Sequence, residues 1–392
     1  MGEQDEQLHR FLEQAFQERI GRFPQTLTAL GRRDQKDRLD DQSESAAQDF
    51  RALLVGQLEA IGAFARDKLS PHAQLNVRVF EQDARQTLAR LQYRAQEYLV
   101  NQKFGLHTDF PAFMINMHGV ADLQDARDYV ARLRAFGRAC DQVIEELERR
   151  EAMGIVPPAF LFPQMLDDCR RFVGDPSDTQ PVDANVLLAD LRAKLAELGD
   201  RGDPGEAGKD LLQAAAQALR ETVLPGYERL IAFLERQESR APAEGGAWSL
   251  PDGEAYYRMC LARHTTTALS ADEIHRLGLD EVARIRGEMI ALKGALGFGG
   301  YGDDELGTLF SHARDHDGFY YPQTPAGRAA YMEEMNAAIV EMKTLLPQYF
   351  ASLPKDELLV KAVEPHRERT AGIAFYQGPA EDGSRPGIFY IN

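Results

Sequence analysis

Long amphipathic helices are the feature that most restricts how this chain can fold. Between residues 76 and 100, apolar side chains recur every three or four positions, and Arg, Gln, Asp and Glu fill the opposite positions. Residues 121–150 show the same spacing, with Tyr129, Leu133, Phe136, Cys140, Ile144 and Leu147 on one stripe. Stripes of this kind are buried against neighbouring helices. The spacing therefore predicts a body built from several packed helices.

A further helix is predicted to begin at Ser270. In the segment Ser270-Ala-Asp-Glu273, the serine hydroxyl can accept a hydrogen bond from the amide of Glu273, and the glutamate side chain can reach back. The residues after this capping box predict a buried face, made of Ile274, Leu277, Val282, Ile285, Met289 and Leu292. The glycine-rich run at 297–300 is predicted to end this helical region.

The sequence pattern changes near Pro354, where helical spacing gives way to short β-rich segments. Residues 358–363, 372–376 and 387–392 are each predicted to form a strand. The predicted fold class is mainly α: a multi-helix body with a small antiparallel or mixed β-sheet at the C-terminal end.

The predicted domain organisation follows from this change. Residues 1–353 form the helical body, with candidate linkers where glycine and proline cluster, near 199–208 and 240–253. Residues 354–392 form the start of a sheet-containing region, which we expect to be incomplete.

Charge and apolar content exclude several classes of function. Asp and Glu outnumber Lys and Arg by 62 to 45, and the net charge of -17 argues against binding to nucleic acids and anionic membranes. No apolar stretch is long enough for a transmembrane helix. The first residues are polar and acidic, so this numbering contains no signal peptide. Neither the compartment nor the oligomeric state follows from these features.

Residues with metal-binding or catalytic chemistry do not form a recognised motif. No His-Glu-x-x-His sequence occurs, and the three cysteines lie far apart without a C-x-x-C pair. His312 and His316 have the spacing of a metal-binding pair, but no glutamate follows His312, and a solvated helix end is the default interpretation. His264 precedes three threonines and is a candidate for substrate contact or for a structural hydrogen bond. We therefore predict no catalytic residue and no metal ligand.

Four segments, in order along the chain, resemble the bacterial "domain of unknown function 885" family, which is grouped with zinc metallopeptidases of the gluzincin type. They lie within residues 16–41, 129–158, 250–279 and 384–392. The third segment contains Leu250-Pro251-Asp252-Gly253 and His264-Thr-Thr-Thr, and the fourth is Ser384-Arg-Pro-Gly-Ile-Phe-Tyr-Ile-Asn392.

The resemblance implies that the chain is the N-terminal, truncated portion of a metallopeptidase-like hydrolase. In the family, the strand that resembles residues 387–392 leads into a helix with the His-Glu-x-x-His zinc motif. Zinc is therefore expected only in a complete relative, and the chain as given should be inactive. Its helices would form walls of a peptide substrate channel. Relatives are often exported or lipid-anchored.

The resemblance also implies where a peptide could bind. In gluzincin-like enzymes, an edge strand next to the active-site helix pairs with the substrate backbone. Gly387, Ile388, Phe389 and Tyr390 are the candidates for that edge, and an ordinary core strand is the alternative. For the chain as a whole, the alternative function is a non-catalytic helical binding or scaffold protein.

Overall fold

The chain folds into two compact units. The computed structural model describes residues 2–174, 182–199, 205–296, 306–363, 372–383 and 385–392. The first unit is Met1–Thr267 and the second is Ala268–Asn392. The predicted boundary near residue 353 separates the last helices from the sheet, whereas the structure groups them together.

The first unit is helical. Its helices are α1 (Glu3–Ile20), α2 (Pro24–Ala29), α3 (Glu44–Gly62), α4 (Pro71–Gln92), α5 (Leu106–Asn116), α6 (Leu123–Ala152), α7 (Phe162–Val173), α8 (Val186–Leu198), α9 (Gly205–Ala218), α10 (Leu224–Glu238) and α11 (Gly253–Thr265). A π-helical turn, Leu219–Val223, joins α9 to α10, because the ring nitrogen of Pro225 carries no hydrogen for a regular helical bond.

The core of this unit surrounds α6, the longest helix. The predicted stripe of α6 is buried, with Tyr129, Leu133 and Phe136 fully shielded from solvent. Helices α7, α9 and α10 pack around it. The ring of Tyr227, from α10, stacks on Phe136 at 5.2 Å and on Phe172 at 4.2 Å. The helical periodicity of the sequence is thus confirmed where it predicted this core.

The second unit combines helices with a small sheet. Its elements are α12 (Ala271–Ala295), α13 (Gly307–Asp315), α14 (Pro325–Tyr349), β1 (Leu358–Ala362), β2 (Ala374–Gln377) and β3 (Gly387–Ile391). The strand order is β1-β3-β2, with β1 parallel and β2 antiparallel to β3. Helix α14 packs against β1. The predicted fold class, mainly α with a small mixed sheet, is confirmed.

The start of α12 is as predicted, but its apolar face is not buried. Ser270 Oγ accepts from the Glu273 amide at 3.3 Å, and Glu273 Oε2 accepts from the Ser270 amide at 2.8 Å. Most side chains of the predicted buried face are exposed: Leu277 by 55%, Val282 by 65%, Ile285 by 45% and Leu292 by 56%. The prediction of burial is wrong because periodicity marks the side that favours burial without supplying a partner.

Two further predictions concern connections. The run at 297–300 and residues 200–204 of the candidate linker at 199–208 lie outside the described residues, and α9 begins at Gly205 within that linker. Residues between α10 and α11 form a connection with one 3-10 turn, Ala247–Ser249. None of the described helices has the length and hydropathy needed to cross a bilayer.

Candidate functional site

The strand predicted to bind substrate lies in the middle of the sheet. Strand β3 pairs with β1 on one side, from Gly387 to Ile391, and with β2 on the other, from Ile388 to Ile391. The edge position predicted for Gly387, Ile388, Phe389 and Tyr390 is therefore wrong, and the alternative of a core strand describes β3. The sequence locates strands, but it does not reveal which strand lies between the other two.

Side-chain packing holds β3 in this central position. Ile388 and Tyr390 are only 5% and 6% exposed and share one face with Val363. The ring of Phe375 stacks on Tyr390 with centroids 4.8 Å apart. On the other face, a Cβ atom at Gly387 would lie 3.1 Å from the hydroxyl of Tyr376. Glycine at this position leaves room for the Tyr376 side chain to lie across β3.

The outer side of β2 has the character of an edge strand. The Asn392 amide donates to the Ile373 carbonyl at 2.9 Å, which makes residues 373 and 392 a hydrogen-bonded pair. Because such pairs alternate in antiparallel ladders, the backbone groups of Ala374 and Tyr376 point away from β3. Among the described residues, no strand pairs with this side. Ile373 is 85% exposed and Tyr376 is 61% exposed, so apolar side chains accompany the edge.

His264 lies in the first unit, on the last turn of α11, and is exposed. The helix continues to Thr265, and Thr266 then adopts a left-handed conformation with φ of 55°. The Thr265 hydroxyl donates to the Leu261 carbonyl at 2.8 Å. A substrate role for His264 stays a prediction.

The His312 and His316 pair lies at the C-terminal end of α13. The two ring centroids are 4.9 Å apart. His316 Nδ1 accepts a hydrogen bond from the Gly318 amide at 3.0 Å, so this imidazole caps the following turn. Within the described ranges, no group of three or more His, Cys, Asp or Glu side chains could hold a metal. These residues do not fit a zinc site.

A buried polar network in the first unit escaped the sequence analysis. Its centre is His118, which has no exposed surface. Arg132 Nη1 donates to His118 Nδ1 at 2.8 Å, and His118 Nε2 lies 2.9 Å from the Asp125 carbonyl oxygen. These partners place the imidazole hydrogen on Nε2. Burial, reinforced by the neighbouring Arg132 charge, lowers the pKa of His118 to about 2, so the ring stays neutral.

Arg132 connects this histidine to the N-terminal segment. Its Nη2 donates to the Thr28 hydroxyl at 2.7 Å, and its Nε donates to the Arg38 carbonyl at 2.8 Å. The network therefore joins residues 24–38 to α6. Residues 24–38 belong to the first segment that carries the family resemblance, and part of α6 belongs to the second.

The Asp125 carboxylate anchors the same segment by ion pairs. It accepts from Arg33 at 2.7 Å and from Lys36 at 2.9 Å, and its side chain is 2% exposed. On the other side of the network, Lys194 Nζ donates to the His118 carbonyl at 3.0 Å and to Asp190 at 2.7 Å. Each charge has an opposite charge or a carbonyl beside it, which favours a structural role.

The family assignment rests on the extent of the match. The model of the DUF885 family, described as bacterial protein of unknown function, matches residues 24–392. The chain belongs to the DUF885 family. No curated protein matches it.

Two solved structures resemble this DUF885 chain in fold. A candidate lipoprotein from Colwellia psychrerythraea has 24% identity and a TM-score of 0.88, and the alignment covers 100% of this chain and 68% of that one. A candidate lipoprotein of unknown function from Shewanella oneidensis has 15% identity and a TM-score of 0.62. This alignment covers 98% of this chain and 64% of that one. At these identities the likeness shows the fold alone. The chain spans about two thirds of the length of both proteins.

One signal in the DUF885 sequence could have revealed the network. Arg132 follows Tyr129 by three positions and precedes Phe136 by four, so it lies on the buried stripe of α6. A charged residue on such a stripe indicates a buried partner. Nothing in the local sequence identifies His118 or Thr28 as that partner, because both are distant along the chain.

Proposed function

We propose that this DUF885 chain is the peptide-binding body of a metallopeptidase-like protein. The observation that carries the proposal is the outer side of β2, where backbone groups point outward beside exposed apolar side chains. The resemblance to gluzincin-type peptidases also supports a role in peptide binding.

Peptide binding would occur by strand addition at β2 and not at β3. An extended peptide would form backbone hydrogen bonds with Ala374 and Tyr376, and the exposed side chain of Ile373 would contact its apolar residues. The edge is short, so we expect weak binding that depends on adjacent surfaces for affinity.

The hydrolytic chemistry is proposed to reside in polypeptide outside residues 1–392. A His-Glu-x-x-His motif would supply zinc and a glutamate base, and zinc lowers the pKa of a bound water. The described residues of this chain do not fit that group, so no catalytic step is assigned to them. The role of this chain would be to hold the peptide.

Binding of a labelled peptide tests the strand-addition proposal. The probe is a short, fluorescein-labelled peptide rich in Val and Thr, followed by fluorescence anisotropy. Ala374→Pro removes an outward amide without removing a hydrogen bond to β3, and we expect binding to weaken by about tenfold or more. Ala351→Pro, at an exposed bend before the sheet, is the control and should bind like the unaltered chain.

Circular dichroism establishes that both proline variants retain their secondary structure. If the unaltered chain does not bind the peptide, or if Ala374→Pro binds it equally well, strand addition at β2 is wrong.

Metal analysis tests where the chemistry resides. After purification with zinc in the medium and dialysis, we expect far less than one zinc per chain and no peptide hydrolysis. One tightly held zinc per chain would contradict the proposal that the zinc motif lies elsewhere.

The second candidate function is a non-catalytic helical binding or scaffold protein. The self-contained packing of the first unit, in which buried charges such as Asp125 and Arg132 have partners, favours it. The gene sequence after codon 392 distinguishes between these two candidate functions. An in-frame His-Glu-x-x-His supports the peptidase-like protein, and a stop codon supports the scaffold.

We further propose export or lipid anchoring for this protein. The support is that both solved structures similar in fold are described as candidate lipoproteins. Fractionation of cells that express the tagged, full-length gene product checks this: recovery in the cytosol would contradict it.

A further inference from the structure

The exposed side of α12 carries the spacing of a coiled-coil seam. Apolar residues recur at the two inward positions of the seven-residue repeat, conventionally named a and d. Val282, Met289 and Leu296 occupy a positions, and Ile285 and Leu292 occupy d positions. Four of these five are exposed by 45–65%, the exception being the half-buried Met289. We name these five residues the α12 seam.

The seam has oppositely charged borders. Glu281 and Glu288 line one border, at position g, and Arg286 lies on the other, at position e. Within the helix, Arg284 forms ion pairs with both glutamates, at 2.7 Å and 2.6 Å. Lys293 shares the border of Arg286, but it is buried within its own chain and plays no part here.

The charge pattern distinguishes between orientations of a partner helix. In a parallel pair, a residue at g faces the residue at e five positions later in the other helix, which would bring Glu281 near Arg286. In an antiparallel pair of identical helices, like borders face each other, and Glu281 would approach glutamate of the partner. The borders therefore favour a parallel pair of identical helices.

We propose that α12 pairs in parallel with α12 of a second copy of this chain. The same patch serves both protomers, as in a two-fold symmetric dimer. The seam covers 15 residues, from Val282 to Leu296, or about 20 Å of helix. Because about two repeats form only a small interface, the dimer should dissociate on dilution. Burial of the seam would explain why the helix carries an apolar face that its own chain leaves exposed.

Sedimentation equilibrium of the purified chain over a range of concentrations tests the proposal. We expect a reversible monomer–dimer equilibrium. Leu292→Asp places two carboxylates in the seam and should weaken association by about a hundredfold or more. Leu277→Asp is the matched control, because Leu277 is 55% exposed against 56% for Leu292 but lies outside the seam. This control should dimerise like the unaltered chain.

Charge exchange tests the orientation. Glu281→Lys would face Arg286 of the partner and should weaken the dimer by about fivefold. The double variant Glu281→Lys with Arg286→Glu should restore association. Circular dichroism shows whether α12 stays helical, since Glu281 also pairs with Arg284 in its own helix.

Three outcomes would overturn the proposal. The first is a monomer at every concentration, which would leave the seam to other polypeptide. The second is association, including open-ended aggregation, that Leu292→Asp does not weaken. The third is a double charge variant that associates no better than Glu281→Lys, which would exclude the parallel orientation.

Discussion

Arg132 occupies a position on α6 that would ordinarily hold an apolar side chain. Its guanidinium is fully buried, yet it donates hydrogen bonds to an imidazole, a hydroxyl and a carbonyl group. Burial lowers the pKa of Arg132 to about 10, which still leaves it charged at neutral pH. The side chain therefore acts as a buried connector between α6 and the N-terminal segment.

Replacement of Arg132 should strongly destabilise the first unit. Arg132→Leu leaves His118 Nδ1, the Thr28 hydroxyl and the Arg38 carbonyl without their donor, and each lost partner costs about 1–3 kcal/mol. We expect a total loss of about 3 kcal/mol in the free energy of unfolding, measured by urea denaturation. Arg134→Leu, exposed on the same helix, should change it by less than about 0.5 kcal/mol. Equal effects of the two variants would contradict a connecting role for Arg132.

His107 makes the fold sensitive to acid. It is 2% exposed, and neither ring nitrogen has a hydrogen-bond partner among the described residues. Burial lowers the pKa of His107 from 6.5 to about 4, although the Asp168 carboxylate opposes the shift. As the pH falls, His107 is therefore protonated at a higher pH in the unfolded chain than in the folded chain. The contribution of the neutral ring is fully present above pH 6.5 and is lost as the pH falls toward 4.

This linkage predicts a difference between two histidine variants. From pH 7.5 to pH 4.5, protonation of unfolded His107 should remove about 2.5 kcal/mol from the free energy of unfolding. His107→Leu should reduce the acid loss by that amount, as measured by urea denaturation at both pH values. His72→Leu, an exposed histidine on α4, should retain the full loss. The interpretation fails if His107→Leu loses as much stability in acid as the unaltered chain.

At the scale of elements, the start of α11 depends on a glycine. A Cβ atom at Gly253 would lie 1.7 Å from the Ala247 carbonyl oxygen, far inside contact distance. The 3-10 turn before α11 therefore approaches the helix more closely than any other residue type permits. This explains why the segment Leu250-Pro251-Asp252-Gly253 ends in glycine.

Alanine substitutions at two glycines should have opposite effects. Gly253→Ala forces the turn away from α11 and should cost about 1–3 kcal/mol of stability. Gly287→Ala lies within α12, where a Cβ atom meets nothing within 4 Å, and should stabilise that helix by about 0.5–1 kcal/mol. Thermal unfolding followed by circular dichroism measures both. A neutral Gly253→Ala would show that the close approach does not constrain the turn.

The sequence predicted most helices and strands correctly, but it did not predict which strands and side chains contact each other. The helical spacing around Tyr129 and the capping box at Ser270 depend on neighbours a few residues away, so the sequence alone reveals them. The order β1-β3-β2 and the partners of Arg132 depend on contacts between residues far apart in the chain. Because strand order could not be predicted, the sequence analysis placed the edge strand at β3, which contains Tyr390, whereas β2, which contains Tyr376, lies at the edge of the sheet.

At the scale of the whole molecule, the second unit exposes apolar side chains that a partner or a dye could bind. Beyond the α12 seam, helix α14 and the residue after it leave Val340, Met342, Tyr349 and Phe350 exposed by 53–76%. Monomeric proteins seldom expose large apolar surfaces, and those that occur often bind a partner. The second unit therefore presents surface that suits a partner more than solvent.

An apolar dye should detect this surface in the folded protein. We expect the chain to enhance the fluorescence of anilinonaphthalene sulfonate at neutral pH while it retains near-ultraviolet circular dichroism, which distinguishes it from a molten globule. Val340→Lys combined with Tyr349→Lys should reduce the enhancement, and Lys replacements at the already polar Glu333 and Glu341 should not. Absence of dye binding by the unaltered chain would contradict the exposure of α14.

The central position of β3 also determines when the second unit can form during synthesis. Strands β1 and β2 leave the ribosome first, but they do not pair with each other. Each must wait for β3, which is translated last of the three. Until Ile391 has emerged from the exit tunnel, both strands remain without their hydrogen-bonding neighbour and are open to chaperones or to strands of other nascent chains. Strand order thus delays formation of the sheet until β3 has been synthesised.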